Sequence, residues 1–500
     1  MSIFSPEFIQ ALERQAFADG VSAEALMEEA GAGMAATIRQ FVPTPGVCLA
    51  VFGKGHNGGD ALVTARLLSE QGWRVYLIPA FPTDTLAPLT SKKWDEAGRC
   101  DTLPLSHFQS WKADPALPLI ILDGLLGIGA SGPLRPPISD ATQAINALRE
   151  NSHARVFALD LPTGLNGESG IASQDTVIAD VTITVAFAKT GLLTDHAEHF
   201  VGRLALIPLH ELSIRVQSHT SDELNTPHNL APLWKHRSAD CHKGDCGRVA
   251  LVAGSKGTLG AAALAASGAL RSGAGLVTLW IPESLYPMAT IIAPVECMVR
   301  PFNHFQEILA TRSDVLAIGP GLGLDHPEAV LELIRRFPGP AVIDADALTI
   351  LATQLSALKQ SQGPRLLTPH PGEMARLFPG SEWLSRREIA VQFTEEWPVT
   401  LLLKGMRSVI CTRREPISFN TTGTPGMASG GMGDVLTGVC AGLLGQGLNT
   451  HNAARLGAWL CGRSAEALVS HGTRSNESLL ASDVASHLGA AFETLRQRSS

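Results

Sequence analysis

The chain has 500 residues, 45% of them hydrophobic and 17% charged, with a formal net charge of −8. One hydrophobic core stops growing at about 250–300 residues, so at least two domains are expected. The composition excludes a disordered chain, and the negative balance offers no basic field to nucleic acid.

The first stretch, MSIFSPEFIQALERQAF, has early charges and no long apolar core, so it does not read as a secretory signal. Two amphipathic segments, roughly 5–18 and 22–41, open the first half. VCLAVFG (47–53) reads as a buried strand, ALVTARLLSEQ (61–71) as a helix stopped by Gly72, and WRVYLIP (73–79) as the next strand. PLIILD (118–123), RVFALD (155–160) and DVTITVAF (180–187) are short apolar runs bounded by Gly, Pro or Asp, the pattern of strands buried on both faces of a parallel sheet. From 211 to 235 the pattern fails, which marks a boundary between domains at 1–215 and 225–500. A second alternating series follows. Strands are expected at 247–253, 276–281, 313–318, 340–344, 364–368 and 398–404, and helices at 259–271, 326–337 and 434–445. No internal repeat links the halves, so two unlike α/β domains are expected. The eight cysteines are scattered and form no CxxC, as in a reducing compartment. The longest uncharged small-residue run, 257–270, is too short to span a bilayer. A cytoplasmic protein without membrane or nucleic-acid contact is expected.

Gly53, Gly55 and Gly58 satisfy G-x-G-x-x-G between a strand and a helix. The acidic residue that grips a ribose about 20 residues on is missing, which argues against an ordinary redox cofactor. The loop still aims backbone N–H groups at an anion, with Asp60 placed as an N-cap. Two more strand ends carry an aspartate and a glycine loop: Asp123 before GLLGIGASGP (124–133) and Asp160 before LPTGLNGESG (161–170). In open α/β sheets such ends converge on a ligand. Asp123, Asp160, Asn57 and Thr163 together suit a hard cation. The motifs NGGD, DGLLG-x-G and LDLPTGL resemble the YjeF N-terminal domain, the NAD(P)H-hydrate epimerase family, over roughly residues 5–210. The resemblance implies a Rossmann-like fold. It implies contacts to the hydrated nucleotide from His56, Asn57, Gly58, Gly59 and Asp60, and from Gly127, Ile128, Gly129, Ala130, Ser131, Gly132 and Pro133. It further implies potassium on Asn57, Asp123 and Thr163, with Asp160 as the acid–base carboxylate. His56 stands where the family usually has Asn.

In the second half, Gly430, Gly431 and Gly433 precede Asp434 and an apolar helix. Small residues at a helix start form an anion hole, and a carboxylate at its mouth can take a proton from a hydroxyl; together they suit phosphoryl transfer. GPGLG (319–323), TPHPGEMARL (368–377) and the Lys404–Gly405 turn accompany it, and no P-loop is present. This order resembles the ribokinase-like superfamily and, within it, the NAD(P)H-hydrate dehydratase family, over about 235–495. The resemblance implies that Ala261, Gly321, His370, Pro371, Gly372, Glu373, Met374, Ala375 and Arg376 touch the hydrate. It implies that Lys404, Gly405, Met406, Arg407, Ser408 and Gly433 bind the adenine nucleotide, and that Asp434 is catalytic. Bacterial-type members use ADP and eukaryotic ones ATP. Two departures stand out: Thr258-Leu259-Gly260-Ala261 replaces Tyr-x-Gly-Ala, and SGGMGD replaces GGTGD.

The expected protein is a two-activity enzyme. It interconverts R and S NADHX and NADPHX, then dehydrates the S epimer with ADP, through a phosphorylated C6 hydroxyl. Potassium, a magnesium ion on the ADP phosphates and a homo-oligomer complete the expectation. A vitamin-precursor kinase with a fused nucleotide-binding domain, a non-catalytic nucleotide-binding regulator and an NAD(P) oxidoreductase are the rivals.

Overall fold

Strands with every side chain buried need cover on both faces, and the first half supplies it. The structure is a computed structural model and describes residues 1–108, 111–112, 114, 116–129, 132–216, 222–234 and 237–497. It divides into two compact units, Met1–Ser221 and Asp222–Ser500. The division falls inside the polar, aperiodic stretch 211–235.

The first unit holds a seven-stranded sheet. In spatial order its strands are Asp101–Thr102, Arg74–Pro79, Val47–Phe52, Leu119–Gly124, Arg155–Leu159, Val181–Val185 and Arg203–Ile207. All neighbours run parallel. Val47–Phe52 and Leu119–Gly124 are buried throughout. Cys48, Ala50, Phe52 and Leu122 face the helices Ala23–Phe41 and His56–Glu70. Val47, Leu49, Val51 and Ile121 face the helix Ile138–Ser152. Strand order reverses between Val47–Phe52 and Leu119–Gly124, which places the topological switch point there. A short parallel pair, Ile3–Phe4 with Ala188–Lys189, anchors the helix Pro6–Ala18, whose N-cap is Ser5.

The second unit has a ten-stranded sheet. Its parallel strands lie in the spatial order Met298–Phe302, Leu276–Pro282, Arg248–Val252, Val315–Ile318, Ala341–Ile343, Arg365–Leu367 and Thr400–Leu403. Ser408–Thr412 and Ser418–Asn420 extend it antiparallel, and Glu223–Leu224 pairs parallel at the edge. The order reverses between Arg248–Val252 and Val315–Ile318. The helices Leu259–Arg271 and Met432–Gly445 approach closely along small residues: a Cβ on Gly438 would lie 1.9 Å from the Ala265 carbonyl oxygen.

One local expectation fails. Asp60 is not an N-cap, because the helix already begins at His56, with Gly55 at its cap position and no capping side chain. The glycines of NGGD serve close approach, not a turn: a Cβ on Gly58 would lie 2.1 Å from the Gly53 oxygen, and one on Gly59 2.5 Å from Met27 Cε.

Candidate active sites

At the first switch point the two strand-end loops are locked together. The Gly53 amide donates to the Gly124 carbonyl at 3.1 Å, and a Cβ on Gly53 would lie 2.0 Å from the Leu125 oxygen. Asn57 follows on the first helical turn; its Nδ2 donates to the Leu126 carbonyl at 2.8 Å. Asn57 Oδ1 is buried and has no hydrogen-bond partner. Asp123 is fully buried. Its Oδ1 accepts from Thr163 Oγ1 at 2.7 Å and its Oδ2 from the Thr163 amide at 2.8 Å. The Leu126 amide in turn donates to Thr163 Oγ1 at 3.2 Å. Burial pushes the Asp123 carboxyl up to about 6 against these bonds, which favour the charged form. Asn57, Asp123 and Thr163 are thus gathered around Leu126, with one buried oxygen left over. Among the described residues no group of three or more His, Cys, Asp or Glu side chains is arranged to hold a metal.

Asp160 departs from the expected four-residue cluster. Its side chain is bonded by Lys189 and approached by the Val185 amide at 3.3 Å and Thr184 Oγ1 at 3.4 Å. Its backbone is left-handed, with φ 67°, a strained state for a non-glycine residue that clusters at functional positions. Lys189 is buried and spends its other two donors on Thr184 Oγ1 at 3.0 Å and the Val185 carbonyl at 3.1 Å. Lys189 escaped the sequence reading, because its partner lies 29 residues away.

A cavity of about 510 Å³ opens onto Asp160, Lys189, Asn57, Asp60, His56 and the loop Gly127–Gly129. A second, of about 830 Å³, is lined by Gly127, Gly132, Pro133, Arg135 and Thr163. Gly127 borders both. The expected ligand residues Ala130 and Ser131 lie outside the described residues, and Gly58 and Gly59 are buried and do not line the first cavity. Burial, then the charges of Asp160 and Glu13, drive the Asp60 carboxyl well above the ordinary range.

In the second unit, side chains from the carboxyl ends of two parallel strands, Asp344 and Lys404, meet one helix start. Asp344, just after Ala341–Ile343, is buried. It accepts from Lys404 Nζ at 2.9 Å and from Thr437 Oγ1 at 2.7 Å. Lys404 also lies 3.7 Å from Glu373. Burial alone would lower the Lys404 ammonium, but Asp344 and Glu373 outweigh it, and the group is held above its ordinary range as a cation. Gly433 sits on this pair: its Cβ would lie 3.3 Å from Lys404 Nζ and 3.5 Å from Asp344 Oδ2. Gly431 caps the helix in a left-handed conformation, φ 90°, with no side-chain cap, so the first amides face outward as an anion site. Asp434 stands in that first turn. Burial, then the charge of Asp344, pushes its carboxyl up to about 6, with Lys404 opposing.

The remaining expected residues surround this cluster. The Gly254 amide donates to the Pro320 carbonyl at 2.8 Å, and Thr258 Oγ1 to the Gly321 carbonyl at 2.7 Å, so the two switch-point loops are tied. Gly321 has φ 57°, and Ala261 lies half-buried in the first turn of the nearby helix. His370 and Glu373 cap one another: His370 Nδ1 accepts from the Gly372 and Glu373 amides, and Glu373 Oε2 accepts from the His370 amide at 2.8 Å. Pro371, Gly372, Ala375 and Arg376 are exposed, whereas Met374 is buried. Lys404–Ser408 spans the turn between antiparallel strands, with Gly405 and Met406 exposed and Arg407 buried. Asp344, Thr437 and Asp346, whose Oδ2 accepts from the Gly323 amide at 2.8 Å, were missed. The run AVIDADA repeats the strand-then-aspartate signal already used at Asp123 and Asp160 and could have found the two aspartates.

Residues 249–487 match the family model for NAD(P)H-hydrate dehydratase, and residues 23–191 that for the YjeF-related protein N-terminus. The bifunctional NAD(P)H-hydrate repair enzyme Nnr of Moorella thermoacetica is 37% identical over 89% of this chain and 87% of its own. The protein of the same name from Escherichia coli is 35% identical over 94% and 89%. A crystal structure of the ADP/ATP-dependent NAD(P)H-hydrate dehydratase from Bacillus subtilis, co-crystallised with ATP and Mg2+, is 29% identical. It aligns with a TM-score of 0.49 over 55% of this chain and all of that one. No helix among the described residues is long and apolar enough to cross a membrane.

Proposed function

The chain belongs to the family of bifunctional NAD(P)H-hydrate repair enzymes, and from that premise we propose which residues carry each activity. The first unit interconverts the R and S epimers of NADHX and NADPHX, with Asp160 as the proton carrier. The second unit dehydrates the S epimer at the expense of ADP, with Asp434 as the base. The observation that carries this reading is the placement of Asp434 in an uncapped helix start beside the Asp344–Lys404 pair.

In the second unit Asp434 takes the proton of the C6 hydroxyl as its oxygen attacks the terminal phosphorus of ADP. The bond from that phosphorus to the bridging oxygen breaks, and AMP departs. The amides of the Gly431–Gly433 turn and the Lys404 ammonium meet the charge that develops on the phosphoryl oxygens. Phosphate then leaves C6, C5 loses a proton, and the C5–C6 double bond returns. Asp344 positions Lys404 and, through Thr437, the helix. Bound magnesium would supply charge neutralisation on the phosphates.

In the first unit, the orphaned Asn57 Oδ1, the Asp123 carboxylate and Thr163 fit a potassium ion. Such an ion would offset the repulsion between a pyrophosphate and the nearby carboxylates. Proton and cation compete for Asp123, so potassium binding should strengthen up to tenfold per pH unit below about 6 and level off above it. Without the ion, the raised carboxyl makes the folded unit more stable as pH falls from about 6 towards the unfolded value, by about 3 kcal/mol at most. Thermal unfolding in potassium and in sodium chloride, at acid and neutral pH, measures both effects; equal potassium stabilisation at both pH values would remove Asp123 from the site.

A mixture of R- and S-NADHX with magnesium tests the whole reading. Full recovery of NADH absorbance with ADP is the expected result. Recovery that stops at the S fraction would leave the dehydratase alone, and none with ADP or ATP would favour a kinase of another substrate.

A further inference from the structure

Inverting the configuration at C6 requires one group to give a proton and another to take one, on different sides of the ring. The first cavity contains a second carboxyl suited to this. Gln10, Glu13 and Phe17 stand at helical spacing on one face of Pro6–Ala18, and all three line the cavity that Asp160, Lys189 and Asn57 also line. The buried Ile9 and Ala16 fix that helix, and the ladder of Ile3–Phe4 on Ala188–Lys189 ties its start to the strand that carries Lys189.

We propose that Glu13 is a catalytic residue of the epimerase and works as a pair with Asp160. The inference rests on reading the first unit as an epimerase. One carboxyl protonates the departing C6 hydroxyl. The C6–O bond breaks, water leaves, and the N1 lone pair forms the C6–N1 double bond. Water then adds to the opposite face of C6 and gives its proton to the other carboxylate. One proton is given and one taken, so no further reactant is needed.

The two carboxyls have unequal surroundings. Asp160 is paired with the buried Lys189 ammonium. Glu13 is raised above its ordinary range by burial first and by the charge of Asp160 second, with Lys189 and Arg14 pulling the other way. Lys54, His56 and Asp60 are the other titratable groups on the cavity wall. A carboxyl raised in this way suits the acid of the pair.

In the full chain, Glu13→Gln should slow R–S equilibration without nucleotide by about 100-fold or more, while turnover of pure S-NADHX with ADP is unchanged. Wild-type epimerisation should decline at high pH as Glu13 loses its proton, and the variant should lose that decline. Glu13→Asp should regain part of both; a residue that only supports the helix changes neither profile. Epimerisation by Glu13→Gln at the wild-type rate, or slowed with a wild-type pH profile, while Asp160→Asn is inactive, overturns the role of Glu13 and leaves the epimerase reading standing. Loss in Asp60→Asn but not in Glu13→Gln assigns the second carboxyl to Asp60 and overturns it equally. Unchanged epimerisation in both Glu13→Gln and Asp160→Asn removes the reading itself.

Discussion

Asp434→Asn is expected to lower turnover of S-NADHX by about 1,000-fold or more while R–S equilibration continues at the wild-type rate. A positioned base contributes about 10²–10⁴-fold, and in the proposed mechanism the same carboxylate also fixes the hydroxyl for attack. Asparagine keeps the size and the helix start but cannot accept the proton. The loss therefore falls on kcat. KM for ADP should hold or fall, because a carboxylate beside the phosphate site has gone. The wild-type rate should rise with pH through about 6, as Asp434 sheds its proton; the variant should lose that limb. Steady-state kinetics on pure S-NADHX across pH measures all three. A variant with intact kcat and raised KM would make Asp434 a binding residue, and a loss of both activities in a folded protein would end the two-site account.

Asp160→Asn should do the converse. Epimerisation falls by about 100-fold or more, and turnover of the S epimer is untouched. Asparagine tolerates the left-handed backbone at this position, and its oxygen can still accept from Lys189, so the fold should survive. Lys189 then keeps its bonds to Thr184 and the Val185 carbonyl but loses its counter-charge. Removing one member of a buried pair costs about 3–5 kcal/mol when no acceptor remains; with the amide oxygen in place a smaller drop in melting temperature is expected. Lys189→Met, which strands the carboxylate instead, should lower both stability and epimerisation. Starting from pure R-NADHX with ADP, the Asp160 variant should return almost no NADH, whereas from pure S-NADHX it should match the wild type.

The local signals in the sequence were strong where one stretch decides its own fate. VCLAVF, LIILD and RVFAL are strands because their apolar runs leave no polar face to expose, and the aspartates at the ends of the last two, Asp123 and Asp160, mark the edge where ligands bind. The helix starting at Met432 was likewise readable from its glycines. Pairings across the sheet were not. Lys404 looks like a solvated strand tip until Asp344, 60 residues earlier, is placed under it. Glu13 looks like an ordinary surface residue of an amphipathic helix until the cavity is drawn. Asp60 was misplaced because glycines that permit close packing read the same as glycines that permit a turn. Ser418–Asn420, three residues long, is too short to show alternation, and its hydrogen bonds to Ser408–Thr412 and its pairing with Glu223–Leu224 define it.

The two compact units lie on one continuous chain, each with its own sheet and core. Synthesis therefore delivers them in equal copy number, and neither transcription nor translation can alter the proportion. The balance between epimer supply and epimer consumption in a cell is then set by the intrinsic turnover of each unit. Substitutions at Asp160 or Asp434 would shift that balance towards accumulation of one intermediate, whereas a change in expression level would scale both fluxes together.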